Sequence, residues 1–301
     1  MHAPPIAYRG RFAPSPTGPL HAGSMLAALG SWLLARQAGG QWLLRIEDID
    51  PPREVIGATQ AQLQALAAFD LRHDGDIVHQ SRRDALYRDA LDRLLARGLA
   101  FECHCSRADL AATGGIHRRC VANASHAVPA IRLRVADGTL VAFDDLVHER
   151  IAQRVDLEAG DFVLRRADGL WAYQLAVVVD DAAQDVTDVV RGADLLASTP
   201  RQILLQQALD LPTPRHAHLP LLLDEQGRKL SKSDAALPVD PDAPLDTLRA
   251  IWRCLGQPPL QENRPRDFLE AATCTFRLDL VPQAAMHASA AVHNAPATRG
   301  V

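Results

Sequence analysis

Apolar residues recur at three- and four-residue steps through Met25, Leu26, Leu29, Trp32 and Leu33, a spacing that predicts an amphipathic helix stopping near Gly39-Gly40. A β-prone run, Ile6 to Phe12, precedes it, and Gln41 to Ile46 follows as a buried strand. Thr59 to Phe69 and Ser81 to Arg97 carry helical periodicity, with Ser81 and Asp84 spaced like a capping box. Ala130 to Val135 and Leu140 to Val147 read as strands joined by a turn at Asp137-Gly138, extending an inserted subdomain. The apolar run Leu175 to Val179, closed by Asp180-Asp181, predicts a buried parallel strand with Tyr173 near its start. Val186 to Val190 is the next strand and leaves through Arg191-Gly192-Ala193-Asp194. Thr199, Pro200 and Gln202 combine a cap, a proline at the first helical position and a glutamine at the third, predicting a helix through Leu209. Leu219 to Leu223 reads as a strand before the polar turn Asp224 to Gly227. Beyond Gln257 only Asp267 to Phe276 shows helical spacing, and the alanine-rich run after Val281-Pro282 lacks periodicity, predicting a weakly ordered tail. Strands alternating with helices point to an α/β fold.

The loop Ala13 to Leu20 lies between the first strand and the first helix, where proline and glycine forbid regular structure and let a ligand approach the backbone. A helix start in this position is a natural seat for a nucleotide phosphate. The loop lacks both the Walker lysine pattern and the dinucleotide glycine pattern and carries His21 and Gly23 at the helix start instead. Glu47, Asp48 and Asp50 follow the second strand, at the end of an α/β sheet that faces a ligand crevice.

A second chemistry begins at Phe101. Cys103 and Cys105, then His117 and Cys120, can converge on one tetrahedral ion, and thiolates with imidazole favour zinc over hard cations. Four protein ligands make such a site structural. The five cysteines are odd in number, with three clustered, which suits a reduced cytoplasmic protein better than a disulfide framework. The chain has 301 residues, 48% of them hydrophobic, enough for a sizeable core and roughly two domains. Its net charge of −4 argues against non-specific coating of nucleic acid but leaves room for a local basic face. No apolar run approaches a membrane span, and no signal pattern opens the chain.

His21-Ala22-Gly23-Ser24 resembles the first signature of class I aminoacyl-tRNA synthetases, and the preceding RFAPSPTG, Arg11 to Gly18, resembles the glutamyl and glutaminyl branch. Arg45-Ile46-Glu47-Asp48 with Arg53, the segments LWAYQLAVVVDD and VVRGADLL, and Lys229-Leu230-Ser231-Lys232-Ser233, similar to the second class signature, match in the same order. The resemblance implies an ATP-dependent ligase with a Rossmann-like nucleotide-binding fold and an inserted zinc-bearing subdomain, lacking an anticodon-binding domain. It suggests a catalytic domain over residues 1–256, with halves near 1–100 and 166–235, an insertion near 101–165 and a helical stem-contact region near 236–256. Residues 257–301 form the remaining tail.

By the same resemblance, Arg11, Ala13, Ser15, Glu47, Tyr173 and Arg191 bind glutamate, with Glu47 on its ammonium. Cationic forks suit its two carboxylates. Pro14, His21, Gly23, Ser24, Lys229, Ser231 and Lys232 would bind ATP, with His21 and Lys232 catalytic and Gly23 leaving room for the nucleotide. Mg²⁺ is expected with the triphosphate. Members of the family often carry a tyrosine where His117 stands and a slightly longer gap to the last cysteine, a departure that makes His104 the substitute candidate for the fourth ligand. The short layout is similar to paralogues that activate L-glutamate and attach it to the queuosine base in the anticodon loop of tRNA(Asp). The alternative is a minimal synthetase charging the tRNA acceptor end. A catalytically dead RNA-binding module predicts damaged signatures, which are not seen, and a small-molecule ligase conflicts with RFAPSPTG. A cytoplasmic monomer without membrane partners is expected.

Overall fold

In this computed structural model, residues 7–122, 128–224, 227 and 238–287 are described. The chain opens with β1 (Arg9–Phe12), α1 (Ala22–Gln37), β2 (Gln41–Ile46), α2 (Ala58–Ala68), β3 (Val78–His79) and α3 (Asp84–Ala96). It continues through β4 (Ala100–Cys103), β5 (Ala130–Leu133), β6 (Leu140–Asp145), β7 (Glu149–Arg154), α4 (Val155–Glu158) and β8 (Phe162–Arg165). Then come α5 (Tyr173–Ala183), β9 (Asp188–Gly192), α6 (Thr199–Leu209), β10 (Arg215–Leu219), β11 (Leu222–Leu223), α7 (Pro244–Cys254), α8 (Pro265–Thr275) and β12 (Met286–His287).

Seven strands form the main sheet in the order β3-β2-β1-β9-β10-β6-β7, parallel throughout except for the β6–β7 hairpin. From β1 the chain steps outward to β2 and β3, then returns to lay β9 and β10 on the other side. The direction of winding therefore reverses between β1 and β9, and a ligand crevice is expected at the carboxyl ends of these two strands. Arg11 and Arg191 sit there, one on each strand.

The strands alternate strictly, as a period of two requires. Phe12, Trp42, Leu44, Val190, Ala217 and Leu219 turn one way and join the buried faces of α1, α7 and α8 in the largest apolar cluster. At Gly30, a Cβ would come within 2.5 Å of the Leu219 side chain, so the missing side chain lets α1 lie close on β10. The intervening residues, Arg11, Arg45, Arg191, His216 and His218, turn the other way and are all buried. A sheet covered on both faces ordinarily reads as continuous hydrophobic sequence. Here one half-face carries buried arginines and histidines.

Several sequence expectations change. Leu175 to Val179 belongs to helix α5, not to a strand. Every residue from Leu175 to Asp181 is buried, so the run has no polar stripe to reveal a helical period. Ser81 does not cap α3; its hydroxyl and backbone N–H both donate to Asp48, and Asp84 holds the Trp171 indole N–H instead. The Thr199 hydroxyl likewise faces Arg191 and His218 while Ser198 occupies the cap position. The strand expected over Leu219 to Leu223 breaks at Pro220, which has no N–H for a ladder. Of the two strands assigned to the insertion, β5 pairs with β4 and β8 in a separate antiparallel sheet, whereas β6 joins β10 in the main sheet. From Gln257 to His287 the chain is packed, not loose: Phe268, Leu269 and Ala272 of α8 are buried with α1, and β12 pairs with β11; the rest of the alanine-rich run, residues 288–301, lies outside the described residues.

Candidate active site

The loop after β1 is held from three directions. The Pro14 carbonyl accepts from the Glu47 N–H at 3.0 Å and the Pro16 carbonyl from Val55 at 2.9 Å. The Gln62 amide, buried on α2, donates to the carbonyls of Ser15 (3.0 Å) and Gly18 (2.7 Å). Ala13 is half-buried, Pro14 buried and Ser15 exposed. The loop delivers His21 as the cap of α1. Its Nδ1 accepts from the N–H groups of Gly23 (3.1 Å) and Ser24 (3.3 Å), while the Ser24 hydroxyl accepts from the His21 N–H at 3.4 Å. Two donors at Nδ1 require a lone pair there, so neutral His21 carries its proton on Nε2. A Cβ on Gly23 would meet the His21 ring at 3.1 and 3.2 Å, so this glycine gives the ring space to fold over the helix end. Pro238 bridges His21, and Val239 donates to the Leu20 carbonyl, where the described chain resumes after residue 227. Lys229, Ser231 and Lys232 lie outside the described residues.

Beneath the crevice lies a six-member charge network. Arg11 Nε contacts Asp181 at 3.2 Å; Arg45 contacts Asp181 at 2.8 Å, Glu47 at 3.4 Å and Asp180 at 3.8 Å; Arg83 pairs with Asp180. The Tyr87 hydroxyl and the Gln80 amide each donate to Asp180 at 2.7 Å. Three guanidinium groups thus face three carboxylates. Burial disfavours the charge on Asp181, but Arg11 and Arg45 outweigh it and lower its pKa. Burial raises the Glu47 pKa, against the pull of Arg45 and Arg11. Glu47 is a carboxylate held in a place that wants a positive ligand.

Arg191 is differently placed. Its Nη1 donates to the Tyr173 hydroxyl (3.3 Å), Nη2 to Thr199 Oγ1 (2.8 Å) and Nε to His218 Nε2 (3.1 Å). No carboxylate pairs with it among the described residues, and burial lowers its pKa. A buried guanidinium without an acidic partner is costly unless an anionic ligand arrives. A cavity of about 880 Å³ is lined by Ser15, Glu47, Arg53, Arg132, Arg166 and Tyr173 and reaches the three-stranded sheet; Arg191 does not line it but bonds to Tyr173, which does.

At the end of β4, the ligand atoms of Cys103, Cys105, His117 and Cys120 all lie within 4.8 Å of one another. A tetrahedral zinc with thiolate bonds near 2.3 Å has edges of about 3.8 Å, so the set fits with small adjustments. His117 Nδ1 lies 2.8 Å from Asp161 Oδ2, and Nε2 lies 3.3 Å from the Cys103 sulfur. The carboxylate accepts a hydrogen bond from Nδ1–H and leaves Nε2 as the ligand atom, an arrangement common around zinc. Burial and the neighbouring thiols push the Cys120 thiol up to about 11. A bound dication would reverse that. His104 is not among the converging groups.

The structure thus gathers Arg11 with Glu47 through Arg45 and Asp181, Tyr173 with Arg191, His21 with Gly23 and Ser24, and the four metal candidates. Sequence reasoning passed over Gln62, Asp145, Asp161, Asp180, Asp181 and His218 as site residues. The available signals were an arginine inside a buried strand and two aspartates ending an apolar run.

Comparison with known proteins agrees with this geometry. The family described as class I tRNA synthetases (E and Q), catalytic domain, matches residues 7–247. A protein of Xanthomonas campestris pv. campestris named glutamyl-Q tRNA(Asp) synthetase is 66% identical over 254 residues, 84% of this chain and 85% of that relative. One of Neisseria meningitidis serogroup B with the same name is 48% identical over 294 residues, 93% and 99% of the two chains. A glutamate tRNA ligase from Elizabethkingia meningosepticum, solved in complex with its amino acid, superposes with a TM-score of 0.79 at 25% identity, covering 94% of this chain and 68% of that one.

Proposed function

This chain belongs to the class I tRNA synthetase family for Glu and Gln and is an enzyme of the ligase type, and we propose that it activates L-glutamate with ATP and transfers it to the queuosine base of tRNA(Asp). The observation that carries the first half is the buried Arg191, without a carboxylate partner among the described residues, together with a Glu47 whose charge burial opposes. An amino acid with an ammonium and a side-chain carboxylate satisfies both. Arg11 and Tyr173 complete the pocket, and the Ala13 and Ser15 backbone forms its edge.

In the first step a glutamate carboxylate oxygen attacks the α-phosphorus of ATP in line and pyrophosphate leaves. Such transfers depend on positioning and neutralisation of charge. His21 donates from Nε2, and the N-terminus of α1 beside Gly23 and Ser24 adds its dipole. Pro14 shapes the nucleotide's seat. Lys229, Ser231 and Lys232 supply further donors to the triphosphate; Lys232 is six residues from Pro238, which pairs with His21. Mg²⁺ carried with ATP adds charge neutralisation. Cys103, Cys105, His117 and Cys120 would hold a structural zinc that would fix the loop flanking the cavity. In the second step a hydroxyl of the queuosine cyclopentenediol attacks the acyl carbonyl and AMP leaves. The second half draws support from the names of relatives that match over most of their length. We further propose that the enzyme works as a cytoplasmic monomer; among the described residues no helix is long and apolar enough to cross a membrane.

The test is transfer of radiolabelled glutamate to tRNA(Asp) with and without queuosine, followed by mapping of the labelled nucleotide. Label on the anticodon wobble base, dependent on queuosine, is expected. Equal labelling of both tRNAs at the 3′ end favours acceptor-end charging and overturns the second half.

A further inference from the structure

Behind Arg191 stands a second pair of residues that the amino-acid pocket does not itself contain. His218 of β10 and Asp145 of β6 are both fully buried, with His218 Nδ1 and Asp145 Oδ2 2.6 Å apart. Asp145 Oδ1 is occupied separately: it accepts from the backbone N–H groups of Val147 (3.0 Å), His148 (3.0 Å) and His218 (3.3 Å). On its far side His218 Nε2 faces Arg191 Nε at 3.1 Å and the Thr199 hydroxyl at 3.1 Å.

We propose that Asp145 and His218 are positioning residues that aim Arg191 at the ligand carboxylate without spending its charge. The proposal rests on the glutamate-activation reading above. A carboxylate in direct contact with Arg191 would orient the guanidinium equally well but would form an ion pair that the ligand must displace. A neutral imidazole offers one lone pair and no charge. That lone pair must sit on Nε2, because Arg191 Nε–H can only donate. Asp145 ensures it by accepting the hydrogen bond from Nδ1–H, and burial keeps His218 below its ordinary pKa, so the ring stays neutral. The Thr199 hydroxyl shares that lone pair with Arg191 Nε–H as a second, bifurcated donor to His218 Nε2, and accepts from Arg191 Nη2 at 2.8 Å.

The arrangement makes Asp145→Asn an unusually sharp test. Three backbone N–H groups already converge on Oδ1, so the amide oxygen must remain there and the amide nitrogen must face His218. The imidazole is then forced to accept at Nδ1 and carry its proton on Nε2, where it meets Arg191 Nε–H, donor against donor, in a buried site. In ATP–pyrophosphate exchange the variant should raise the KM for glutamate about tenfold to a hundredfold, the cost of a buried mismatched donor, while the KM for ATP stays within about twofold. Nitrogen-15 NMR of the histidines should show wild-type His218 protonated at Nδ1 and the variant protonated at Nε2. Thr199→Val, which removes the bridging hydroxyl at constant shape, should raise the KM for glutamate several-fold in the same selective manner, and it decides the matter if Asp145→Asn does not fold.

An unchanged KM for glutamate in a folded variant overturns the proposal. So does an equal rise for both substrates, or a wild-type His218 protonated at Nε2. If the wild-type enzyme shows no glutamate-dependent exchange, the functional reading fails, and the wild-type tautomer alone then decides the dyad.

Discussion

Gly23→Ala separates two ways in which a glycine at a helix start can serve a nucleotide site. The added Cβ would stand 3.1 Å from Cε1 and 3.2 Å from Nδ1 of His21, tighter than ordinary contact, so the ring must swing away. Swinging away breaks both hydrogen bonds that cap α1. Losing an N-cap costs about 0.5–2 kcal/mol, whereas alanine in place of glycine inside a helix returns up to about 1 kcal/mol. The two nearly cancel, so the melting temperature should shift by no more than about 4 °C. Activity should not escape so lightly. Removing one donor to developing charge commonly costs a factor of about 10²–10³, and a displaced His21 forfeits much of that. The assay is ATP–pyrophosphate exchange on a double-mutant cycle with His21→Ala. If Gly23 acts through the ring, Gly23→Ala lowers kcat at least about tenfold in the wild-type background and less than about twofold beside His21→Ala, a coupling of at least about 1 kcal/mol. Equal losses in both backgrounds would refute the argument and show that the glycine makes room for the nucleotide directly.

Three other outcomes follow from the same geometry. Glu47→Gln should abolish glutamate-dependent exchange yet raise thermal stability near neutral pH: burial raises the Glu47 pKa, so its charge opposes folding above the unfolded value; a lower melting temperature would contradict this. Asp145, drawn down to about 2 despite burial, contributes stability that is present above the ordinary carboxylate range near 4 and lost as pH falls through about 2. His218, held low by burial, acts in the same direction from its unfolded value near 6.5 downward, so acid melting followed by circular dichroism should begin at a higher pH in wild type than in Asp145→Asn/His218→Phe. Cys105→Ser should lower zinc content well below one ion per chain by metal analysis and loosen the three-stranded sheet, while full zinc occupancy would remove Cys105 from the ligand set.

The fold was legible where a single period governed a segment. β2 runs over the expected residues, and α1 ends as Gly39-Gly40 foretold, because a strand and an amphipathic helix each leave an unmixed pattern. The metal candidates were legible because ligand spacing is local. What escaped notice was chemistry that only long-range packing creates. Asp180 and Asp181 closed an apolar run like a solvated turn, yet they are buried by Arg11, Arg45 and Arg83, which lie in distant parts of the chain. Ser81 and Thr199 looked like caps, since a hydroxyl near a helix start usually is one; each has been drawn to a tertiary partner instead, Asp48 and the Arg191–His218 pair. His218 alternated with His216 along a strand without any hint of the aspartate behind it.

The central claim is that a buried, uncompensated Arg191 reads a carboxylate where Glu47 reads an ammonium, and the amino-acid dependence of ATP–pyrophosphate exchange tests it most directly. Glutamine matches glutamate in shape but offers Arg191 no charge. The account predicts that kcat/KM for L-glutamate exceeds that for L-glutamine by at least about a hundredfold, near 3 kcal/mol, and that Arg191→Gln erases most of the gap. Comparable exchange with both amino acids in the wild-type enzyme would contradict it.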